Sequence, residues 1–250
     1  MSSRFLKIFS RANVSRLTVA AILLGSLQVV AVVLPIVSSA LPPSGSIYLN
    51  NASIYTAFDS AIDIDTGQFT MEMWVKPTAA GGMGLYSGNQ NGGQLGYTDS
   101  DCTGNSAQFF TGVWGEWCNG NKGATGVIPS LNSWSHIVML RDANNYESIY
   151  LNGSRIIYQS GPNRLGMLDG QILAKFMIGA VQRQNFTGYI SNFRLVTGAA
   201  LYSGATLTVP TSELTTTVAS GTVQLLMSAT SSASMLTDSV SNRVFTTAAT

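Results

Sequence analysis

His136 is the only histidine in the chain, and Cys102 and Cys118 are the only cysteines. A Ser/His/Asp relay would have to run through that one imidazole. His136 lies inside the run WSHIVML, where a half-buried strand position explains it better than catalysis. One histidine with two cysteines 16 residues apart does not make a usual zinc ligand set. Asp99 and Asp101, with Asn105 and Asn119 beyond them, offer the hard oxygen donors that calcium takes. The same residue types also build turns, so both readings stand. Trp114 and Trp117 occupy a glycine-rich stretch beside Asn119 and Asn121, with Tyr86 and Tyr97 earlier in the same variable region. Sugars lay their apolar C–H faces on aromatic rings and bond their hydroxyls to amides. Trp114, Trp117, Tyr97, Asn119 and Asn121 are therefore the candidate ligand-binding residues. The competing assignment has one of the two tryptophans plugging the end of the fold. Trp74 and Trp134 lie on strands and read as core.

The two cysteines flank the predicted strand 107–111 and the tryptophan loop. In an exported protein they would form a disulfide closing that loop; in a cytoplasmic one they would remain thiols. Asn51, Asn152 and Asn185 each begin an N-x-[ST] sequon, which matters only in a host that glycosylates. Asn152-Gly153 is better explained as a turn.

The elements that must carry these residues are short. Of 250 residues, 45% are hydrophobic and only 10% charged, against roughly 25% charged in ordinary globular chains. Ser, Thr, Asn and Gly supply the polar surface instead. The net charge of +1 conceals an asymmetry. Four of the 13 basic residues (Arg4, Lys7, Arg11 and Arg16) precede residue 45 and no acid does, so the remainder carries nine basic against 12 acidic residues, a net of −3. No basic stripe remains there, which argues against nucleic-acid binding.

Residues 1–16 are basic, 17–34 are almost unbroken apolar sequence, and Ser38-Ser39-Ala40 offers small residues for a cleavage site. Three assignments fit: a signal peptide, an uncleaved signal anchor with possible membrane contact through residues 17–34, or a buried assembly helix. Pro42-Pro43 ends that segment, and a folded domain is expected over residues 45–250. Strands are predicted at 46–50, 52–56, 69–75, 83–87, 94–98, 107–111, 134–140, 148–151, 155–159, 174–180 and 222–227, with an edge strand at 242–246. Phe69, Met71, Met73 and Val75 alternate with Thr70, Glu72 and Trp74, and both faces are bulky, as in a central strand. From Phe186 the pattern puts Tyr189, Ser191, Phe193 and Leu195 on one face and Ile190, Asn192, Arg194 and Val196 on the other. A helical turn is predicted at 199–202, then an extended tail to Leu214.

Four segments carry a resemblance. FTMEMWVKP at 69–77 resembles the strand FT-x-E-x-W-V-x-P of laminin-G-like domains. Residues 134–140 with SIYLNG at 148–153 resemble the W-x-H-[IV] hairpin of that family, and 186–195 its F-x-G-x-I-x-[ND]-[FLV]-R strand. Residues 198–214 resemble a tail, G-x-A-L-Y…P-x-x-x-L, found in phage and marine viral structural proteins that carry the domain.

The resemblance implies an all-β, antiparallel jelly-roll β-sandwich of the concanavalin A-like type, here preceded by one N-terminal hydrophobic helix. It also implies a rim calcium site, for which Asp99, Asp101 and Asn105 are the candidates. Glycosidases of the superfamily place carboxylates as E-x-D-x-x-E or E-x-D-x-E on one strand. Asp63 and Asp65 are the closest match; they fall in a loop and lack either Glu, and Glu72 stands alone on its strand. No hydrolase is expected. The expectation is a non-enzymatic module, extracellular or displayed on a virion or cell, binding glycan or a host-surface or virion protein. The alternative is an assembly or decoration protein without ligand, including a homo-oligomer.

Overall fold

The computed structural model describes residues 45–57, 59–64, 67–88, 94–100, 106–112, 121–122, 126–160, 175–181, 184–228 and 234–249. The expected N-terminal helix, Cys102 and Cys118 lie outside the described residues. The described residues form fourteen strands: β1 (Ile47–Ala57), β2 (Phe69–Pro77), β3 (Met83–Ser87), β4 (Gln94–Ser100), β5 (Ser106–Gly112), β6 (Asn121–Lys122), β7 (Ser135–Arg141), β8 (Tyr146–Leu151), β9 (Ser154–Ser160), β10 (Lys175–Ile178), β11 (Ala180–Val181), β12 (Gln184–Thr197), β13 (Thr222–Met227) and β14 (Thr246–Ala249). Their pairings are antiparallel throughout, in the order β6-β5-β4-β3-β10-β1-β12-β2-β7-β8-β9. β11 and β13 pair with β12, and β14 with β1. The sheet curls until its end strands β6 and β9 approach each other, a shape consistent with a jelly roll.

One large core fills the inside of the curl. Phe69, Met71, Met73 and Val75 of β2 point into it, as their alternation predicts, and meet Ile54, Phe176 and Ile178 from β1 and β10. Asn152-Gly153 forms the tight turn between β8 and β9, with φ of 49° and 85°. The side chain of Asn152 is engaged there, accepting from the His136 N–H at 2.9 Å.

Four expectations change. The two predicted strands at 46–50 and 52–56 are one strand, β1, irregular between Leu49 and Ala52, where Asn51 turns left-handed at φ 48°. The predicted strand 174–180 is broken by Gly179 at φ 82° into β10 and β11. Residues 199–202 form no helical turn. The closing strand is β14, Thr246–Ala249, shifted toward the C-terminus from the predicted 242–246; Val244 makes only an isolated bridge to Thr237.

The alternation of β12 also breaks. Register shifts between Ser191 and Arg194, where Asn192 takes φ 53°. This bulge inserts one residue and exchanges the faces beyond it. Ile190, Phe193 and Leu195 consequently join the core. Arg194 lies opposite Glu72 of β2 on the outer face.

That outer face is partly roofed by the chain that follows β12. Residues 199–214 cross it as a strap. Ala200, Tyr202 and Leu207 pack on Val138, Leu140 and Tyr150, and Leu214 packs with Val196, Val223 and Leu226. The Tyr150 hydroxyl donates to Gly204 O at 2.8 Å, and the Leu207 N–H to Gly153 O at 2.8 Å. A Cβ on Gly153 would stand 2.7 Å from Leu207 O, so the turn glycine also admits the strap.

Candidate functional site

Two groups of side chains share the outer face of β12, β2 and β7, one sealed and one open. The sealed group is centred on Glu72, which is wholly buried. Arg194 Nε and Nη2 donate to its Oε1 at 2.9 and 2.5 Å. The Tyr202 hydroxyl, from the strap, donates to Oε2 at 3.0 Å. His136 Nε2 lies 3.3 Å from the same oxygen, out of line for a good hydrogen bond. Arg194 Nη1 continues to Thr215 O at 2.9 Å. Thr70, next on the same face of β2, donates to Ala199 O and accepts from the Leu201 N–H. The family-like residues Glu72, His136 and Arg194 thus converge to fasten the strap.

This arrangement cannot serve acid–base chemistry. Glycoside hydrolysis needs two carboxyl groups flanking an open site, about 5–9.5 Å apart. Both oxygens of Glu72 are occupied and no solvent reaches them. Burial pushes its pKa up, but the His136 imidazole and the Arg194 guanidinium outweigh that and hold it below the ordinary value. Asp238 is similar. Its burial is outweighed by the Ser241 hydroxyl and by the N–H groups of Leu226, Val240 and Ser241. Asp59 is lowered chiefly by the Ala61 N–H, and Arg243 joins it to Asp238.

The sign for pH follows. These folded pKa values lie below the unfolded 4.5 and 3.8. Between the two, the unfolded chain binds more protons, so the stabilisation is whole above the unfolded pKa and is lost as pH falls through the folded one. Urea midpoints should fall steadily below pH 4.5, and less steeply in Glu72→Gln. An equal decline in both proteins would exclude Glu72 as a contributor.

The open group is a row across strands at the far end of the same face. Tyr48 of β1 is paired with Tyr189 of β12, and Tyr189 with Lys76 of β2. Trp134 stands just before β7, one step beyond the pair Val75–Ser135, and so opposite Lys76. The ring centroids of Tyr48 and Tyr189 are 4.9 Å apart, and those of Trp134 and Tyr189 6.4 Å apart. Tyr48 is 49% exposed; Tyr189, Lys76 and Trp134 are half-buried. Gly188 permits this close pairing. At φ 149° it brings β12 so near β2 that a Cβ would meet Lys76 O at 2.3 Å.

Trp134 is thus half-buried on the outer face, not the core residue its strand context suggests. It precedes β7 and leans over the outer face. Trp74 is buried, but on this outer side against His136, with centroids 5.1 Å apart. Tyr97 is a core residue, 2% exposed and packed on Phe109, so it presents no ring to a ligand. Tyr86 is likewise buried, against Phe176. Asp99 lies on β4 and Asn121 on β6. Trp114, Trp117, Asn119, Asp101 and Asn105 lie outside the described residues. Among the described residues no group of three or more His, Cys, Asp or Glu is placed to hold a metal ion.

The fold is all-β and antiparallel, with its outer carboxylate sealed and an aromatic row left open. Residues 50–201 match the family model described as laminin G within the concanavalin A-like lectin/glucanases superfamily, and the chain belongs to that superfamily. No curated protein sequence matches significantly. Among solved structures, the chain is similar to the native heptameric SAP-like pentraxin from Limulus polyphemus (13% identity, TM-score 0.43, covering 60% of this chain and 73% of the other). It is similar to domain 4 of AbnA, a GH43 extracellular arabinanase from Geobacillus stearothermophilus, in complex with arabinotriose (16%, 0.45, 61% and 70%). It is also similar to the CBM40 of the Ruminococcus gnavus IT-sialidase (14%, 0.43, 63% and 92%).

Proposed function

We propose that this chain is a non-enzymatic recognition module, displayed on a virion or cell surface, that binds glycan on the row formed by Tyr48, Tyr189 and Trp134. The row carries the reading. Three aromatic rings stand side by side across adjacent strands with one ring half in solvent, and such rings accept the apolar faces of pyranoses. Membership of a lectin/glucanase superfamily supports it, and the sealing of Glu72 speaks for binding without cleavage. The apolar run at 17–34 ahead of the domain supports display. The phage setting rests on the resemblance of the 198–214 tail alone.

The test is a glycan array with the full chain, followed by calorimetry on the best binder. Trp134→Ala should weaken binding about 30-fold, on the order of 2 kcal/mol for an anchoring aromatic, without lowering the melting temperature much. Trp117→Ala should bind as the parent does. The reverse result, with Trp134→Ala unchanged and Trp117→Ala inactive, would move the site to the loop of Trp114, Trp117, Asn119 and Asn121. A blank array would leave the assembly role without ligand.

A further inference from the structure

We infer that the row selects acidic glycans, with Lys76 taking a sugar carboxylate while Tyr189 and Trp134 hold the ring faces. This rests on the glycan-binding reading above and goes one step further, to the class of sugar. Lys76 stands in register between the two aromatic side chains. Its Nζ lies 5.8 Å from the Tyr189 centroid, at the outer limit of a cation–π contact. No carboxylate among the described residues pairs with it. The described arginines Arg141, Arg194 and Arg243 each face an acid. Lys175 sits on the Tyr55 ring at 3.9 Å and Arg155 on Tyr158 at 4.1 Å. Lys76 stands farther from its ring than either, and it alone of these cations stands inside a row of three rings.

An ammonium beside a row of rings matches a pyranose bearing one carboxylate: the ring faces stack and the single negative charge meets the single positive one. Highly sulfated chains and nucleic acids fit poorly. They bind through many cations at once, and residues 45–250 carry a net charge of −3.

The experiment titrates the full chain with two matched pairs: oligogalacturonate against its carboxyl-reduced oligosaccharide, and sialyllactose against lactose. The expected result is a preference of tenfold or more for the acidic member of at least one pair. That preference should shrink at high salt, collapse to near unity in Lys76→Met and survive in Lys76→Arg. Thermal melts of both variants check that the fold is kept. Equal affinity for acidic and neutral members overturns the acid preference and leaves the glycan reading intact. Binding to neither pair overturns it too, and a blank array alongside brings down the glycan reading as well. Binding to phosphatidylserine vesicles with no response to either pair would assign the row to a lipid surface instead.

Discussion

Arg194→Met should destabilise the protein by about 3–5 kcal/mol, the usual cost of leaving one member of a buried ion pair without its partner. Glu72 would lose two donors at 2.9 and 2.5 Å in a place no water reaches. Against a typical total of about 5–15 kcal/mol this is a large share. The damage should not stop at the pair. Arg194 also holds Thr215 O, and Tyr202 reaches the same carboxylate, so the strap should loosen and become sensitive to limited proteolysis between residues 199 and 214. Glu72→Gln in the same chain should recover part of the loss, because the orphaned charge is gone. Urea unfolding at pH 7 measures the first effect and mass spectrometry of protease fragments the second. A loss below about 1 kcal/mol with an uncut strap would show that this cluster does not hold the outer face together.

Gly188→Ala should cost roughly 2–5 kcal/mol and should weaken glycan binding although it alters no aromatic residue. The added Cβ would stand 2.3 Å from Lys76 O and 2.8 Å from Pro77 Cα, both backbone atoms, at φ 149°. A side chain is strained at that φ wherever it points, by about 1–3 kcal/mol, and overpacking adds a similar amount. Relief requires β12 to move away from β2 at the pair Tyr189–Lys76, in the middle of the row. Stability and binding should therefore fall together. A variant that melts and binds like the parent would mean that the two strands are not held so closely.

Much of the fold is legible in local pattern. β2 alternates cleanly, and the hairpin of β7 and β8 and the Asn152-Gly153 turn announce themselves because each depends only on neighbouring residues. The faces of β12 are not legible. A bulge at Asn192 adds one residue, and periodicity carries no sign of it until the partner strand is known. Asparagine, the non-glycine residue most at ease with positive φ, is the one available hint. Trp134 misleads for a related reason, since strand context says that a side chain alternates but not which side meets solvent. Glu72 looks solitary because its partners come from positions 136, 194 and 202, and no spacing rule links such distant residues. Tyr97, one of the expected ligand residues, faces the core although it stands two residues from an aspartate on β4.

The pairing of β1 has a consequence for how the chain is made. Every strand that pairs with β1 (β10, β12 and β14) begins at or after Lys175. At synthesis rates of about 5–20 residues per second, Ile47 and its neighbours wait on the order of ten seconds for their partners to leave the ribosome. Contacts this distant in sequence form slowly even then. During that interval the apolar face of β1 has no native cover. The hairpins of β7, β8 and β9 can close before then, so β1 is among the last strands of the sheet to be paired.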